Sequence, residues 1–267
     1  MTPCSPRSLV DVQDPRVAVL RHMRGSATEV VVEGEAFVRR AVAAGHALTL
    51  LVTAPGRRSA VASLGEHARC WLEAAPEVLA ELVGFRFHRG VLGVVERPRG
   101  DAWPRLLEAR SFTAVAAERL ADPANLGAFV RNAAAFGAEL CLCDAAGADP
   151  WHRKAVRASA GWVFSLPLSQ VDDLCVAADG LRARVPGLAV VAAVAQGDAV
   201  PLSRFVWPRR VLLLVGNEGD GLSAAALGRA DHRVTVDMAV GIDSLNVAAA
   251  TAVLLWARRH GREVVDP

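Results

Sequence analysis

Lysine is almost missing from this chain. Lys154 is its single lysine, and every other member of the 30 Lys+Arg set is arginine. Guanidinium groups grip phosphate through parallel bonds and stack on bases, so the bias suits contact with RNA. A GC-rich genome produces the same bias, and a net charge of only +2 excludes a general polycation. Cysteines are few and scattered. Cys4, Cys70, Cys141, Cys143 and Cys175 are odd in number and lack metal-ligand spacing, which argues against a disulfide framework and against a metal site. Cys141 and Cys143 sit two apart in an apolar run, so a strand would turn both to one face of a core. Met1 to Arg16 holds no apolar signal-type stretch, and no apolar run reaches the ~20 residues of a membrane span. A cytoplasmic, reduced protein without membrane contact is expected. A Gly-Lys-Ser/Thr phosphate loop and a Gly-x-Gly-x-x-Gly fingerprint are both missing, as are internal repeats, heptad seams and low-complexity tracts.

At 267 residues, 52% hydrophobic and 22% charged, the chain has room for two ordinary domains with sizeable cores. Strand-type runs at 29–32, 48–52 and 91–95 alternate with helical patterns at Glu35–Ala44, Val61–Cys70 and Glu77–Val83. This describes a small α/β domain over residues 1–100. Glu96-Arg97-Pro98-Arg99-Gly100-Asp101 then breaks the pattern and reads as a linker. A second domain, 101–267, has strands at Phe112–Ala117, Glu139–Cys143, Ala189–Val194, Val211–Val215 and His232–Val236. The near-continuous apolar runs among them fit parallel strands buried on both faces. Helices are expected at Leu126–Phe136, Trp151–Ser159, Leu222–Arg229 and Leu245–His260, with another ending at Leu181–Val185.

Three segments carry chemistry. Asp122-Pro-Ala-Asn125-Leu-Gly127-Ala-Phe-Val-Arg131 follows a strand and opens a helix, with Asn125 a suitable N-cap. A cap and a surface-paired arginine would explain it equally. Gly216-Asn217-Glu218-Gly219-Asp220-Gly221 follows a buried strand and places a permissive loop where α/β sheets bind ligands. A tight turn alone needs fewer glycines. Val236-Asp-Met238 to Ser244-Leu245-Asn246-Val247 enters the last helix, which Ser244 or Asp243 can cap and whose N–H groups can face a polar ligand.

Together, Asn125-Leu-Gly-x-x-x-Arg131, Gly216-Asn-Glu218-Gly-x-Gly221 and Ser244-Leu-Asn246-Val247 resemble the signature of the SpoU/TrmH branch of the SPOUT methyltransferases, over about residues 110–262. The first 100 residues resemble the ribosomal-protein-like substrate-binding domain of such enzymes through Val32-Glu-Gly-Glu-Ala-Phe-Val38 and Gly90-Val-Leu-Gly-Val-Val95. The resemblance implies an α/β fold: a trefoil-knotted methyltransferase domain with a parallel sheet behind a small RNA-binding α/β domain. It implies transfer of a methyl group from S-adenosyl-L-methionine to a ribose 2′-OH, in rRNA first and tRNA second, without a metal, by a homodimer that shares residues across its interface.

By the same resemblance the cofactor would lie against Ala193, Val194, Ala195, Gly216, Asn217, Gly221, Val236, Met238, Leu245 and Val247. Arg131 would be the catalytic residue. An arginine is always protonated, so it suits clamping phosphate and stabilising an alkoxide better than acting as a base. Glu218 would orient Arg131 or accept the proton, and Asn125, Ser244 and Asn246 would hold the arginine or the ribose. In the family-like stretch Trp151–Gly161, Arg153, Lys154, Arg157 and Ser159 would meet RNA, and Arg39-Arg40, Arg57-Arg58, Arg86 and Arg89 would extend the track; each also reads as plain surface. Asp237 stands where the family carries proline, and Asp243 adds negative charge beside Ser244. A base-modifying enzyme and a catalytically silent RNA-binding relative are the alternatives; the complete Asn125, Arg131, Glu218, Ser244 and Asn246 set argues against both. An antibiotic-resistance role stays open beside a housekeeping one.

Overall fold

Valine- and leucine-rich runs become strands throughout the computed structural model, which describes residues 6–21, 26–98 and 111–261. Cys4 and the end of the expected linker, 99–101, lie outside the described residues. The chain divides into two units, Met1–Arg99 with Trp151–Ser165, and Gly100–Pro150 with Leu166–Pro267.

The first unit contains β1 (Arg7–Leu9), β2 (Glu29–Glu33), α1 (Glu35–Ala43), β3 (Leu48–Thr53), α2 (Ala62–Gly65), β4 (Ala68–Ala74), α3 (Pro76–Val83) and β5 (Val91–Glu96). Its sheet runs β1-β4-β3-β5-β2, with β5 antiparallel to both neighbours. Leu9, Leu20, Val31, Val52, Leu72, Leu79 and Leu92 fill one side of that sheet. The helix expected over Val61–Cys70 is overturned: it stops at Gly65, and Ala68–Ala74 is a strand. The cause is Trp71. Its buried indole donates to Thr53 Oγ1 at 3.0 Å and occupies the space a Cβ at Gly65 would need.

The second unit contains β6 (Phe112–Ala117), α4 (Pro123–Ala135), β7 (Leu140–Asp144), then, beyond α5 (Arg153–Ala158), β8 (Leu168–Val171), α6 (Leu174–Arg184), β9 (Leu188–Ala193), β10 (Val200–Pro201), β11 (Arg210–Val215), α7 (Ala224–Leu227), β12 (His232–Thr235) and α8 (Val247–His260). Seven strands form one wholly parallel sheet, β10-β12-β9-β11-β6-β7-β8. β11 is central and buried on both faces, as its unbroken apolar run requires. Leu140, Leu142, Leu181, Val190, Leu212 and Leu214 form one core layer. Cys141 and Cys143 point to a shared face, their Sγ atoms 3.8 Å apart.

α5 lies in the sequence of the second half but groups with the first unit, while the main division falls at Arg99/Gly100. Side-chain contacts explain this. Arg153 pairs with Glu33, Arg40 donates to the Ala160 carbonyl and stacks over Trp162 at 4.4 Å, and His46 Nε2 meets the Phe164 carbonyl at 2.8 Å.

Candidate active site

Parallel strands share a carboxyl edge, so the loops leaving β6, β9, β11 and β12 gather on one side of the sheet. β6 and β11 are neighbours, with Ala117 opposite Val215. Residues 118–122 and 216–223 therefore lie side by side. Gly216 begins the second loop where no side chain fits, since a Cβ there would run into the backbone of Gly221 and Leu222. The loop closes through reciprocal bonds between Asn217 and Gly221, 3.1 and 3.0 Å long. Asn217 Oδ1 accepts from the Gly219 N–H at 2.7 Å and its Nδ2 donates to the Arg119 carbonyl at 2.8 Å. That side chain shapes the loop from within.

A latch below was not legible beforehand. The buried Glu118 carboxylate accepts from Ser223 Oγ at 2.6 Å and from the Ser223 N–H at 2.7 Å. Ser223 Oγ in turn accepts from Ala226 N–H at 3.1 Å, capping α7. Glu118 thus fixes where the glycine loop ends.

Asn125 is not the cap of α4. Asp122 is: its Oδ1 accepts from the Ala124 N–H at 3.1 Å, and Pro123 occupies the first helical position, where no N–H is needed. Asn125 is thereby released to bridge three elements. Its Nδ2 donates to Glu218 Oε1 at 2.7 Å, and its Oδ1 accepts from Asn246 Nδ2 at 3.0 Å. Asn246, rather than Ser244 or Asp243, caps α8, with Oδ1 accepting from the Ala248 N–H at 2.9 Å. The last helix accordingly begins at Val247, not Leu245. Asn132 Nδ2 donates to the Ala248 carbonyl at 2.6 Å and pins α4 to that first turn. The result is a chain of amides from the α8 N-terminus to a carboxylate. Because a carboxylate only accepts, the orientation of each amide is fixed.

These loops enclose a cavity of about 490 Å3. Its walls include Ala193, Val194 and Ala195 after β9, Gly216, Asn217, Glu218 and Gly221 after β11, Val236 and Met238 after β12, and Ser244, Leu245, Asn246 and Val247 entering α8. Thr235, Asp243, Ala250 and Leu254 also line it. Thr235 Oγ1 donates to the Ala195 carbonyl at 3.2 Å, tying two walls together. Such pairing depends on β12 lying beside β9, for which the sequence carries no local signal.

The family model described as SpoU rRNA Methylase matches residues 113–256. The chain belongs to this family. It is similar to a tRNA/rRNA methyltransferase, itself uncharacterised, of Mycobacterium bovis, at 32% identity over 200 residues, 74% of this chain and 68% of that one. It is also similar to the 23S rRNA (uridine(2479)-2′-O)-methyltransferase of Streptomyces viridochromogenes, at 35% identity over 202 residues, 73% of this chain and 65% of that one. The AdoMet-bound rRNA methyltransferase of Sinorhizobium meliloti superposes with a TM-score of 0.82 at 26% identity, covering 96% of this chain and 98% of that one. The α/β architecture with its parallel sheet is that of SpoU methyltransferases.

Two residues expected at the site are not among those lining the cavity. Arg131 does not line it, and among the described residues its exposed guanidinium has no hydrogen-bond or ion-pair partner. Six residues of helix separate it from Asn125, about 9 Å along the axis and about 120° around it. Glu218 therefore engages Asn125 and not Arg131. Asn125 itself reaches the cavity only through Glu218 and Asn246.

The residues expected to meet RNA divide as well. Ser159 is fully buried, its Oγ donating to the Val156 carbonyl at 2.9 Å, so it closes a helix instead of facing a ligand. Arg153 is engaged by Glu33 and by the face of Phe85, 4.6 Å away. Lys154 and Arg157 are exposed. Among the described residues no cluster of side chains could hold a metal ion, and no helix is long and apolar enough to cross a membrane.

Proposed function

We propose that this SpoU chain transfers the methyl group of S-adenosyl-L-methionine to a ribose 2′-OH of RNA, with ribosomal RNA the first substrate class and tRNA the second. The observation that carries the reading is the amide chain ending on Glu218 at the wall of the cavity. Similarity to a 23S rRNA 2′-O-methyltransferase and to an AdoMet-bound rRNA methyltransferase supports it.

The cavity fits the cofactor. Its volume falls in the range of about 300–1,000 Å3 usual for small-molecule sites. Val215, Ala250, Leu254 and Met238 offer apolar surface, while Glu218 and Asp243 supply negative charge toward a cation. Backbone groups of Gly216, Val236, Leu245 and Val247 would hold it, with Ala193–Ala195 against the adenine. When bound, the cofactor supplies a methyl group on a positively charged sulfur. The protein has to orient the ribose and take its proton. Glu218 is suited to the proton: Asn125 fixes one of its oxygens and leaves the other to accept. Ser244 and Asn246, on the same wall, orient the ribose.

Arg131 then acts from a second copy. Its absence from the cavity wall of its own chain and the exposed apolar side chains of α8, Val253 and Trp256, support a homodimer in which it clamps the RNA phosphate beside the partner's cavity. The reading includes the trefoil-knotted carboxyl segment and a cytoplasmic location, where rRNA and tRNA are found. Radiolabelled S-adenosylmethionine with rRNA and tRNA from a strain lacking the gene tests it. Label enters one RNA with wild type and is lost with Arg131→Ala; no transfer and no cofactor binding would contradict it.

A further inference from the structure

One end of the first unit's sheet gathers arginines in its loops, beside Glu33, Glu73 and Glu77. β2 and β3 finish there and β5 starts there, with Glu33 opposite Leu92 and Thr53 opposite Val91. The loops at this end carry Arg57, Arg58, Arg86, His88 and Arg89. Internal bonds sort the arginines of this unit. Arg89 donates to the Glu33 carbonyl at 3.0 Å and covers the Phe37 ring. Arg153, Arg39 and Arg40 are held by Glu33, Glu35 and the Ala160 carbonyl. Arg57, Arg58 and Arg86 are exposed and, among the described residues, have no hydrogen-bond or ion-pair partner.

Beside them lies a cavity of about 530 Å3 walled by Pro55, Arg57, Pro76, Leu79, Phe87 and His88. Arg57 rests against Gly90, its Cγ 3.2 Å from where a Cβ would stand. No carboxylate is among the described residues that line this cavity. The cavity at the opposite end of the sheet differs in carrying carboxylates, Glu29 and Glu96, beside Arg69 and Arg97, with Arg69 paired to Glu96. A cavity with Pro55, Pro76, Leu79 and Phe87 in its wall, edged by free cations, matches one unpaired nucleotide: its base leaves water and its flanking phosphates meet guanidinium. Regular duplex has no unstacked base to offer such a slot.

We infer that this slot takes one unstacked nucleotide of the RNA substrate, its phosphates held by Arg57, Arg58 and Arg86. The inference rests on the RNA reading above. The test is filter binding of the full chain to unmodified rRNA, comparing wild type, the triple variant Arg57→Glu/Arg58→Glu/Arg86→Glu, and Arg69→Glu at the opposite sheet end. The triple variant is expected to bind at least about tenfold more weakly, with a log–log salt slope reduced by about 2, at roughly 0.7 per single-strand phosphate. Its thermal melt and far-ultraviolet circular dichroism match wild type, which shows that the first unit still folds, its calorimetric affinity for S-adenosylmethionine stays unchanged, which shows the same of the second, and Arg69→Glu behaves as wild type. Independently, wild type cross-linked to 4-thiouridine-labelled rRNA yields adducts on peptides 54–58 and 85–90. Unchanged RNA affinity and slope in the triple variant, or adducts confined elsewhere, overturns the slot and leaves methyl transfer standing. A wild type that binds the cofactor but neither binds nor methylates RNA removes both.

Discussion

Asn125 Nδ2 donates to Glu218 Oε1 across 2.7 Å, joining residues 93 positions apart and fixing one carboxylate oxygen. If Glu218 takes the ribose proton, Asn125 is a positioning residue. Asn125→Ala is expected to lower kcat about tenfold, close to 1.4 kcal/mol of barrier, with cofactor affinity unchanged. Asn125→Asp sets two carboxylates together, which raises the pKa of one of them. The acid limb of its pH–rate profile therefore moves to higher pH. Steady-state kinetics across pH separates this from a purely structural role, which would leave the profile in place.

Gly216 tests the loop. A Cβ there meets the backbone of Gly221 and Leu222, which cannot yield as a flexible side chain would. Gly216→Ala is expected to cost about 1–3 kcal/mol by overpacking and to weaken S-adenosylmethionine binding by tenfold or more. Calorimetry and thermal melting read the two effects. Wild-type affinity in this variant would show that the loop does not shape the cofactor site.

Glu118 tests the latch beneath it. Glu118→Ala leaves the Ser223 N–H and hydroxyl without their buried acceptor. A loss of about 2–3 kcal/mol is expected, since bonds to a charged group are involved, seen as a lowered urea midpoint. A change within about 0.5 kcal/mol, the ordinary range for surface positions, would contradict a structural latch.

Burial pushes the Cys141 thiol well above its usual range, and the neighbouring Cys143 adds to this. The thiol stays protonated in the folded protein. Folded stability is then undiminished below the unfolded thiol pKa near 9.0 and falls as pH rises through it. Iodoacetamide at pH 8 should leave Cys141 and Cys143 unmodified until the protein unfolds. Rapid alkylation of either in native protein would place that strand elsewhere than the core.

Arg131→Ala and Glu218→Gln test the shared site. Each homodimer is expected to be inactive, while the mixed dimer carries one site intact in both residues. Equal mixing with subunit exchange should recover about a quarter of wild-type activity, since about half of the dimers are mixed and one of two sites is whole. No recovery, with exchange demonstrated by mass, would place Arg131 and Glu218 in one chain's site.

Much of this was readable in advance, for physical reasons. Val211–Val215 could only be a strand buried on both faces, and the glycines after it announced a loop at a sheet edge. Residues gathered by the parallel sheet were legible as three motifs. Individual bonds were not. Asn125 looked like a cap because its local sequence permits it, yet Asp122-Pro123 makes the better start and frees Asn125 for Glu218 and Asn246. The Glu118–Ser223 latch spans 105 positions and leaves no periodic trace. Val61–Cys70 reads as one helix because the space Trp71 takes over Gly65 is a tertiary fact. Ser159 lies in a family-like stretch, but its burial ends a helix and turns it away from solvent.

The atom that receives the methyl group separates a ribose methyltransferase from a base-modifying enzyme. RNA labelled by the wild-type protein would be digested to nucleosides and analysed by mass spectrometry. One added methyl group is expected on the ribose of one nucleotide, with the adjoining phosphodiester resistant to alkali and the product absent with Glu218→Gln. Methyl found on a base, or transfer undiminished in that variant, would contradict it.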